Sequence, residues 1–120
     1  MAITEFLHAA ILVSDLEKSQ RFYGQILGLN QVDRPLQFPG IWYQSGNFQI
    51  HLIQAQEVVG DRVNEDKWGR NRHLAFSVSN LEFYQKILTE NNCKYQMSSS
   101  GRSALFIEDP DGNIIELNQQ

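Results

Sequence analysis

A ten-residue stretch that occurs twice decides the fold of this chain. The first copy is His8-Ala9-Ala10-Ile11-Leu12-Val13-Ser14-Asp15-Leu16-Glu17, and the second, 65 residues later, is His73-Leu74-Ala75-Phe76-Ser77-Val78-Ser79-Asn80-Leu81-Glu82. Six of the ten positions are identical, and a seventh pairs Asp15 with Asn80. Two arbitrary windows of this length rarely agree so closely. We therefore interpret the chain as two copies of a half-length module, since a repeat organises the whole fold.

Each copy predicts a strand followed by a helix. The segment from Phe6 to Val13 is a short apolar run with a β-branched end, which is typical of a buried strand. The patterns Ser14-x-x-Glu17 and Ser79-x-x-Glu82 are typical of capping boxes and predict that serine begins each helix. Gly28 predicts the end of the first helix, and Asn91-Asn92 the end of the second.

Three further strands are predicted after each helix. They lie near 31–34, 41–44 and 49–54 in the first half, and near 94–97, 104–108 and 114–117 in the second half. The predicted fold class is therefore α+β, built from two βαβββ modules. We expect a single domain over residues 1–120, with modules at about 5–55 and 72–119 joined by a loop at 56–71.

The composition excludes several classes of protein. The net charge is −4 over 120 residues. The densest basic cluster, Arg70 and Arg72 with Lys67 nearby, is balanced in the sequence by Asp61, Glu65 and Asp66, which argues against nucleic-acid binding. No apolar run approaches the roughly 20 residues that cross a bilayer, and the first residues lack a signal-peptide pattern. The single cysteine, Cys93, can form no internal disulfide. We expect a cytoplasmic domain that binds neither nucleic acid nor a membrane.

The repeat also relates four residues that commonly bind metals. His8 corresponds to His73, and at the same offset His51 corresponds to Glu116. His51 and Glu116 each lie between an isoleucine and a leucine. A charge in an apolar strand is costly unless it is paired or bound to metal. If a pseudo-twofold axis relates the halves, equivalent strand positions would present all four side chains to one site. Taken alone, each histidine could instead be a hydrogen-bonded core residue.

The donor set restricts which metals would fit. Three imidazoles and one carboxylate suit Zn²⁺, Ni²⁺, Co²⁺, Fe²⁺ or Mn²⁺ better than Mg²⁺ or Ca²⁺. The spacing of the residues does not distinguish among these transition metals.

Several motifs resemble the vicinal oxygen chelate superfamily, which includes glyoxalase I, extradiol dioxygenases, fosfomycin resistance proteins, methylmalonyl-CoA epimerase and bleomycin resistance proteins. They are His8 with Val13-Ser14-Asp15-Leu16-Glu17, Phe22-Tyr23 with Leu27-Gly28-Leu29, Arg72-His73-Leu74-Ala75-Phe76-Ser77-Val78, and Asp109-Pro110-Asp111-Gly112 with Ile115-Glu116-Leu117. The resemblance implies a curved mixed sheet around a metal site, and a homodimer. It places the metal ligands at His8, His51, His73 and Glu116. At position 51, glyoxalase I has glutamate and the epimerase glutamine.

The resemblance also implies a range of chemistries. A metal-dependent lyase or isomerase of glyoxalase type would chelate adjacent oxygens of a small oxo substrate and stabilise an enediolate or oxyanion, with Glu116 as ligand and general base. Candidate substrate-binding residues are Arg102, Arg70, Trp42 and Phe38. The alternatives are a ring-cleaving dioxygenase, a thiol transferase of fosfomycin-resistance type, or a non-catalytic binding or resistance protein.

Overall fold

The computed structural model describes all residues, 1–120. The strands are β1 (His8–Val13), β2 (Asn30–Val32), β3 (Gly40–Ser45), β4 (Phe48–Gln54), β5 (Leu74–Val78), β6 (Tyr95–Met97), β7 (Ala104–Glu108) and β8 (Ile114–Gln119). The α-helices are α1 (Leu16–Gln20) and α2 (Leu81–Glu90). A π-helical segment, Arg21–Ile26, continues α1, and a short 3₁₀ helix spans Trp68–Arg70. None of these helices has the length and apolar character needed to span a membrane.

The chain divides into two compact units, Met1–Val58 and Val59–Gln120. Each contains one four-stranded sheet, with strand order β1-β4-β3-β2 in the first and β5-β8-β7-β6 in the second. In both sheets the first pair of strands is parallel and the other pairs are antiparallel. The α+β class and the two βαβββ modules predicted from the sequence are therefore confirmed.

The strand registers show how closely the two units match. In the parallel pairs, Ala10 lies opposite His51 and Ala75 lies opposite Glu116, so the offset of 65 holds there. In the antiparallel pairs, Trp42 lies opposite His51 and Phe106 lies opposite Glu116, which makes the offset 106 − 42 = 64. The first unit therefore has one additional residue between β1 and β3.

That additional residue lies within the first helix. The helix starts, Asp15 and Asn80, are 65 residues apart, whereas the left-handed residues after each helix, Gly28 (φ 80°) and Asn92 (φ 57°), are 64 apart. In the first unit the Leu27 N–H donates five residues back, to the carbonyl of Phe22. Such a π-type bond accommodates an inserted residue without breaking the helix. From Phe106 to Glu116 the chain advances by 10 residues, against 9 from Trp42 to His51, and this difference restores the offset of 65.

The helix starts differ from the predicted serine caps by one residue. Asp15 is the N-cap of α1 and accepts from the Lys18 N–H at 3.1 Å, while Asn80 caps α2 and accepts from the Phe83 N–H at the same distance. The expectation of serine N-caps was wrong because a carboxylate or amide, at least as good a cap as serine, follows each serine directly. The predicted helix ends at Gly28 and Asn91-Asn92 are confirmed.

In the central strands β4 and β8, successive side chains point to opposite faces of the sheet, so the core residues and the candidate ligands lie on different faces. In β4, Ile50 and Leu52 are fully buried, and Ile50 lies opposite Tyr43, which packs against the helical segment through Tyr23. His51, between them, faces the other side of the sheet, because successive strand residues alternate. In β8 the same alternation places Glu116 on the face opposite to Ile115 and Leu117.

Candidate functional site

In the first unit, His8 and His51 lie side by side on one face of the sheet. Their rings are stacked, with centroids 4.1 Å apart and an interplanar angle of 16°. On its other side the His51 ring stacks on Trp42, at 4.0 Å and 5°. The Nε2 atom of His51 is 2.7 Å from Oε1 of Gln49, which helps to fix the ring. The His8 imidazole is exposed and makes no hydrogen bond within the protein, so its nitrogens are available to a ligand.

The surroundings of His51 favour its neutral form. Burial lowers the pKa of His51 below its ordinary value of 6.5, and the nearby His8 and Arg34 lower it further because a second positive charge would be unfavourable. Neutral imidazole is the form that binds metal ions. The His51 imidazole is therefore in the form that a metal ion would require.

Arg34 is held beside this pair by Phe38. Its guanidinium lies 4.4 Å from the centre of the Phe38 ring, and its Nη1 donates to the Phe38 carbonyl. Phe38 is about half exposed, at 49%. In this structure, Phe38 therefore supports an arginine, and Trp42 covers one face of His51; their predicted contact with a substrate remains a prediction.

In the second unit, His73 and Glu116 form a direct pair. The Nε2 atom of His73 is 3.1 Å from Oε1 of Glu116, whose side chain is only 7% exposed. The other carboxylate oxygen accepts from Nδ2 of Asn118 at 2.9 Å and lies 3.5 Å from Nη1 of Arg102. A buried carboxylate is stable only with such partners. The contacts therefore keep Glu116 in place on the sheet face.

A hydrogen bond at Nδ1 fixes the orientation of the His73 ring. Nδ1 donates to the carbonyl oxygen of Asn71 at 2.7 Å, so Nε2 is the atom that remains for a ligand. Two ligands that share one metal through bonds of about 2.1 Å are separated by about 3.0–3.4 Å. The observed 3.1 Å between Nε2 and Glu116 Oε1 falls in that range. This pair therefore fits a divalent transition metal.

The structure does not bring the four predicted ligands together as one group. No group of three or more His, Cys, Asp or Glu side chains lies close enough to hold an ion. The four predicted ligands instead occur as two pairs, His8 with His51 and His73 with Glu116.

The two arginines that were predicted to bind substrate line one cavity. Arg70 and Arg102 border a cleft of about 190 Å³ in the second unit, together with Lys67, Ser98, Ser100 and other residues. The sequence did not single out Lys67 or the serines as site residues. A run of three serines just before Gly101-Arg102 was the available signal, but only the tertiary structure brings Lys67 and Arg70 to it.

The supporting residues around the ligand pairs were also missed. Gln49 precedes His51 by two positions and Asn118 follows Glu116 by two, so each shares a sheet face with the residue that it contacts. That spacing could have identified both. Asn71 could not have been found in this way, because its role depends on the path of the loop.

Comparison with known proteins agrees with this geometry. The sequence profile of the Glyoxalase/Bleomycin resistance protein/Dioxygenase superfamily matches residues 5–117. A Synechocystis protein named "Probable lactoylglutathione lyase" is 30% identical over 128 residues, covering 94% of this chain and 93% of its own. Glyoxylase I 4 of Arabidopsis thaliana is 27% identical over 122 residues, with coverage of 96% and 70%.

A solved structure shows the same fold. The glyoxalase/dioxygenase from Nostoc punctiforme superposes with a TM-score of 0.76 at 23% identity, and the match covers 94% of this chain and 88% of that one. At this identity the likeness concerns the fold alone. With the profile match over nearly the whole length, the chain belongs to the Glyoxalase/Bleomycin resistance protein/Dioxygenase superfamily.

Proposed function

We propose that this protein is a metal-dependent lyase or isomerase of glyoxalase type that acts on a small oxo substrate. His8, His51, His73 and Glu116 are the proposed ligands of a divalent transition metal ion. The observation that carries the proposal is the buried Glu116 carboxylate, 3.1 Å from His73 Nε2. Such a carboxylate can serve both as a ligand and as a base.

The bound metal would supply Lewis-acid stabilisation of negative charge that develops on adjacent substrate oxygens. The protein residues perform the remaining tasks. Asn71 holds His73 through Nδ1, so that Nε2 is directed away from the loop. Gln49 restrains His51 through a contact at Nε2, and Trp42 restrains it by stacking on one face of the ring. The His51 and His73 rings are therefore held before a substrate arrives, which reduces the cost of ordering them.

Glu116 is the proposed acceptor of a proton next to the substrate carbonyl. Asn118 donates to Oε2, and Arg102 approaches the same oxygen. These two side chains hold the carboxylate in one orientation while Oε1 faces His73. For a substrate with a hydroxyl group beside the carbonyl, the carboxylate would take up the carbon-bound proton and return it to the neighbouring carbon, while the hydroxyl proton would pass to the former carbonyl oxygen, which completes the isomerisation.

Substitution of the base tests this role. Glu116→Gln should abolish turnover of a 2-oxoaldehyde–glutathione adduct while largely sparing metal content, because the amide oxygen can still bind the metal but the amide cannot accept the proton. Glu82→Gln is the matched control, since Glu82 lies exposed in the first turn of α2. Full activity of the Glu116→Gln protein would contradict the assignment.

The metal itself discriminates among the classes of function. Elemental analysis of protein purified without added metal should find a transition metal in near-stoichiometric amount. Bound iron would favour a ring-cleaving oxygenase instead. Absence of metal, together with no affinity for Ni²⁺, Zn²⁺ or Fe²⁺, would favour a non-catalytic binding protein.

We also propose that the protein is a homodimer, as the family resemblance implies. Sedimentation at micromolar concentration tests this independently of the chemistry. A monomer under those conditions would contradict it.

A further inference from the structure

The cleft in the second unit combines positive charge, hydroxyl groups and an apolar floor. Three cationic side chains border it: Lys67, Arg70 and Arg102. Neither the Lys67 ammonium nor the Arg70 guanidinium forms an ion pair or hydrogen bond within the protein. By contrast Arg62, a few residues away, is paired with both Glu65 and Glu108. The cleft therefore carries positive charge that the protein itself does not neutralise.

Hydrogen-bond donors remain available on the serine side of the cleft. The Oγ atoms of Ser98 and Ser100 are 2.8 Å apart, so one of their two hydroxyl protons is used between them and the other is left to donate. Arg102 donates through Nε to Ser100 Oγ at 3.0 Å, and its only other protein partner is Glu116 at 3.5 Å. Most of the five N–H donors of this guanidinium are therefore available to a ligand.

The floor of the cleft is apolar and closely built. A methyl group on Gly69 would lie 2.5 Å from Cζ of Phe106, so this glycine allows the loop to close directly on the ring. Phe106 is 5% exposed, and Gln96, which lies opposite it in the strand register, also borders the cleft. At about 190 Å³ the cleft has the volume of roughly six water molecules. This space suits an organic ion with a few carbon atoms.

The position of Arg102 connects the cleft to the proposed chemistry. Its Nε donates to Oγ of Ser100, which borders the cleft, while its Nη1 donates to the carboxylate of Glu116. An anion bound by Arg102 in the cleft would therefore lie close to the proposed base.

We propose that this cleft binds the oxyanion group of a small organic substrate, through Lys67, Arg70, Arg102 and the Ser98–Ser100 hydroxyls. Paired N–H donors on a guanidinium match the two oxygens of a carboxylate, and phosphonate oxygens offer the same acceptor geometry. The inference rests on the proposed function and deepens it, since it defines the substrate as an oxo compound that also carries an acidic group.

The test measures binding to the metal-free protein, so its outcome does not depend on metal or turnover. The probes are propionate, methylphosphonate and inorganic phosphate, with propionamide as the neutral counterpart. Their affinities are followed by NMR chemical shifts at constant ionic strength. We expect the organic anions to shift the signals of Ser98 to Arg102, and propionamide to leave them unchanged. Preference for propionate or for methylphosphonate identifies the acid.

Two double variants distinguish binding in the cleft from nonspecific electrostatic attraction by the protein. Lys67→Gln with Arg70→Gln should weaken anion binding about tenfold or more, because each lost charge-assisted contact is substantial. Lys86→Gln with Lys94→Gln removes the same charge from exposed positions of the same unit, and should change affinity less than about twofold. Equal weakening in both variants, or equal binding of propionamide, would overturn the proposal. If the wild-type protein binds the organic anions but has no lyase activity, the proposed function is contradicted and the proposed anion site is not.

Discussion

Asn71 is expected to stabilise the loop that carries both Lys67 and Arg70. It is 8% exposed, and its Oδ1 accepts from the backbone N–H groups of Val63 at 2.6 Å and Asn64 at 2.8 Å. Its Nδ2 donates to the carbonyl oxygens of Asn64 and Trp68, both at 3.0 Å. Replacement by alanine removes all of these bonds at once.

The magnitude follows from the groups left without partners. Two part-buried backbone N–H groups lose their acceptor in Asn71→Ala, and each such loss costs about 1–3 kcal/mol. Allowing for water at the loop surface, we expect the free energy of unfolding to fall by about 2–4 kcal/mol. For a chain of this size that corresponds to a decrease in Tm of about 8–15 °C.

Chemical and thermal unfolding measure this loss, with Asn91→Ala as the matched control. Asn91 makes a single side-chain bond, from Nδ2 to the Ile87 carbonyl at 2.8 Å, so its replacement should cost only about 0.5–1.5 kcal/mol. The Asn71→Ala protein should also bind organic anions more weakly, since the loop positions two cations of the cleft. A loss of stability no larger than that of Asn91→Ala would refute the reasoning.

Three further predictions concern single residues. In the metal-free protein an NMR titration should give His51 a pKa below 6.5, so stability should fall as the pH drops through 6.5, where the unfolded chain takes up the proton first. His8→Asn should raise that pKa because it removes the repulsion from His8, and an unchanged value would contradict the contribution assigned to His8. Gly69→Ala should cost about 1–3 kcal/mol in denaturant unfolding, because the new methyl group meets the buried Phe106 ring; unchanged stability would argue against the close contact. Deletion of Gly24 should convert the π-helical segment to regular α-helix and leave a cooperative unfolding transition; a chain that fails to fold would show that the insertion is required.

Much of the fold was predictable because local patterns and the repeat agree. Strand alternation and turn residues located all eight strands to within a few residues. Gly28 and Asn92 end the helices because both adopt positive φ, which glycine and asparagine tolerate best. The one-residue shift of the N-caps was missed because serine and its acidic or amide neighbour are both good caps, and only the observed backbone distinguishes them.

The equivalent positions of His51 and Glu116 in the two sheets were predictable for the same reason. His51 and Glu116 occupy equivalent register positions opposite Ala10 and Ala75, as the offset of 65 required. The offset of 64 between Trp42 and Phe106 was not predictable, because a π-helical insertion changes the count without changing the hydrophobic pattern.

The primary sequence determined the module, its duplication and the residue types available for metal chemistry, because these depend on periodicity and on an internal comparison. Only the tertiary structure decided which neighbours surround those residues. The contact of Arg102 with Glu116, the support of His73 by Asn71, and the cleft of Lys67 and Arg70 all depend on where loops approach strands. Such contacts join residues that are distant in the chain, and no local pattern encodes their distances.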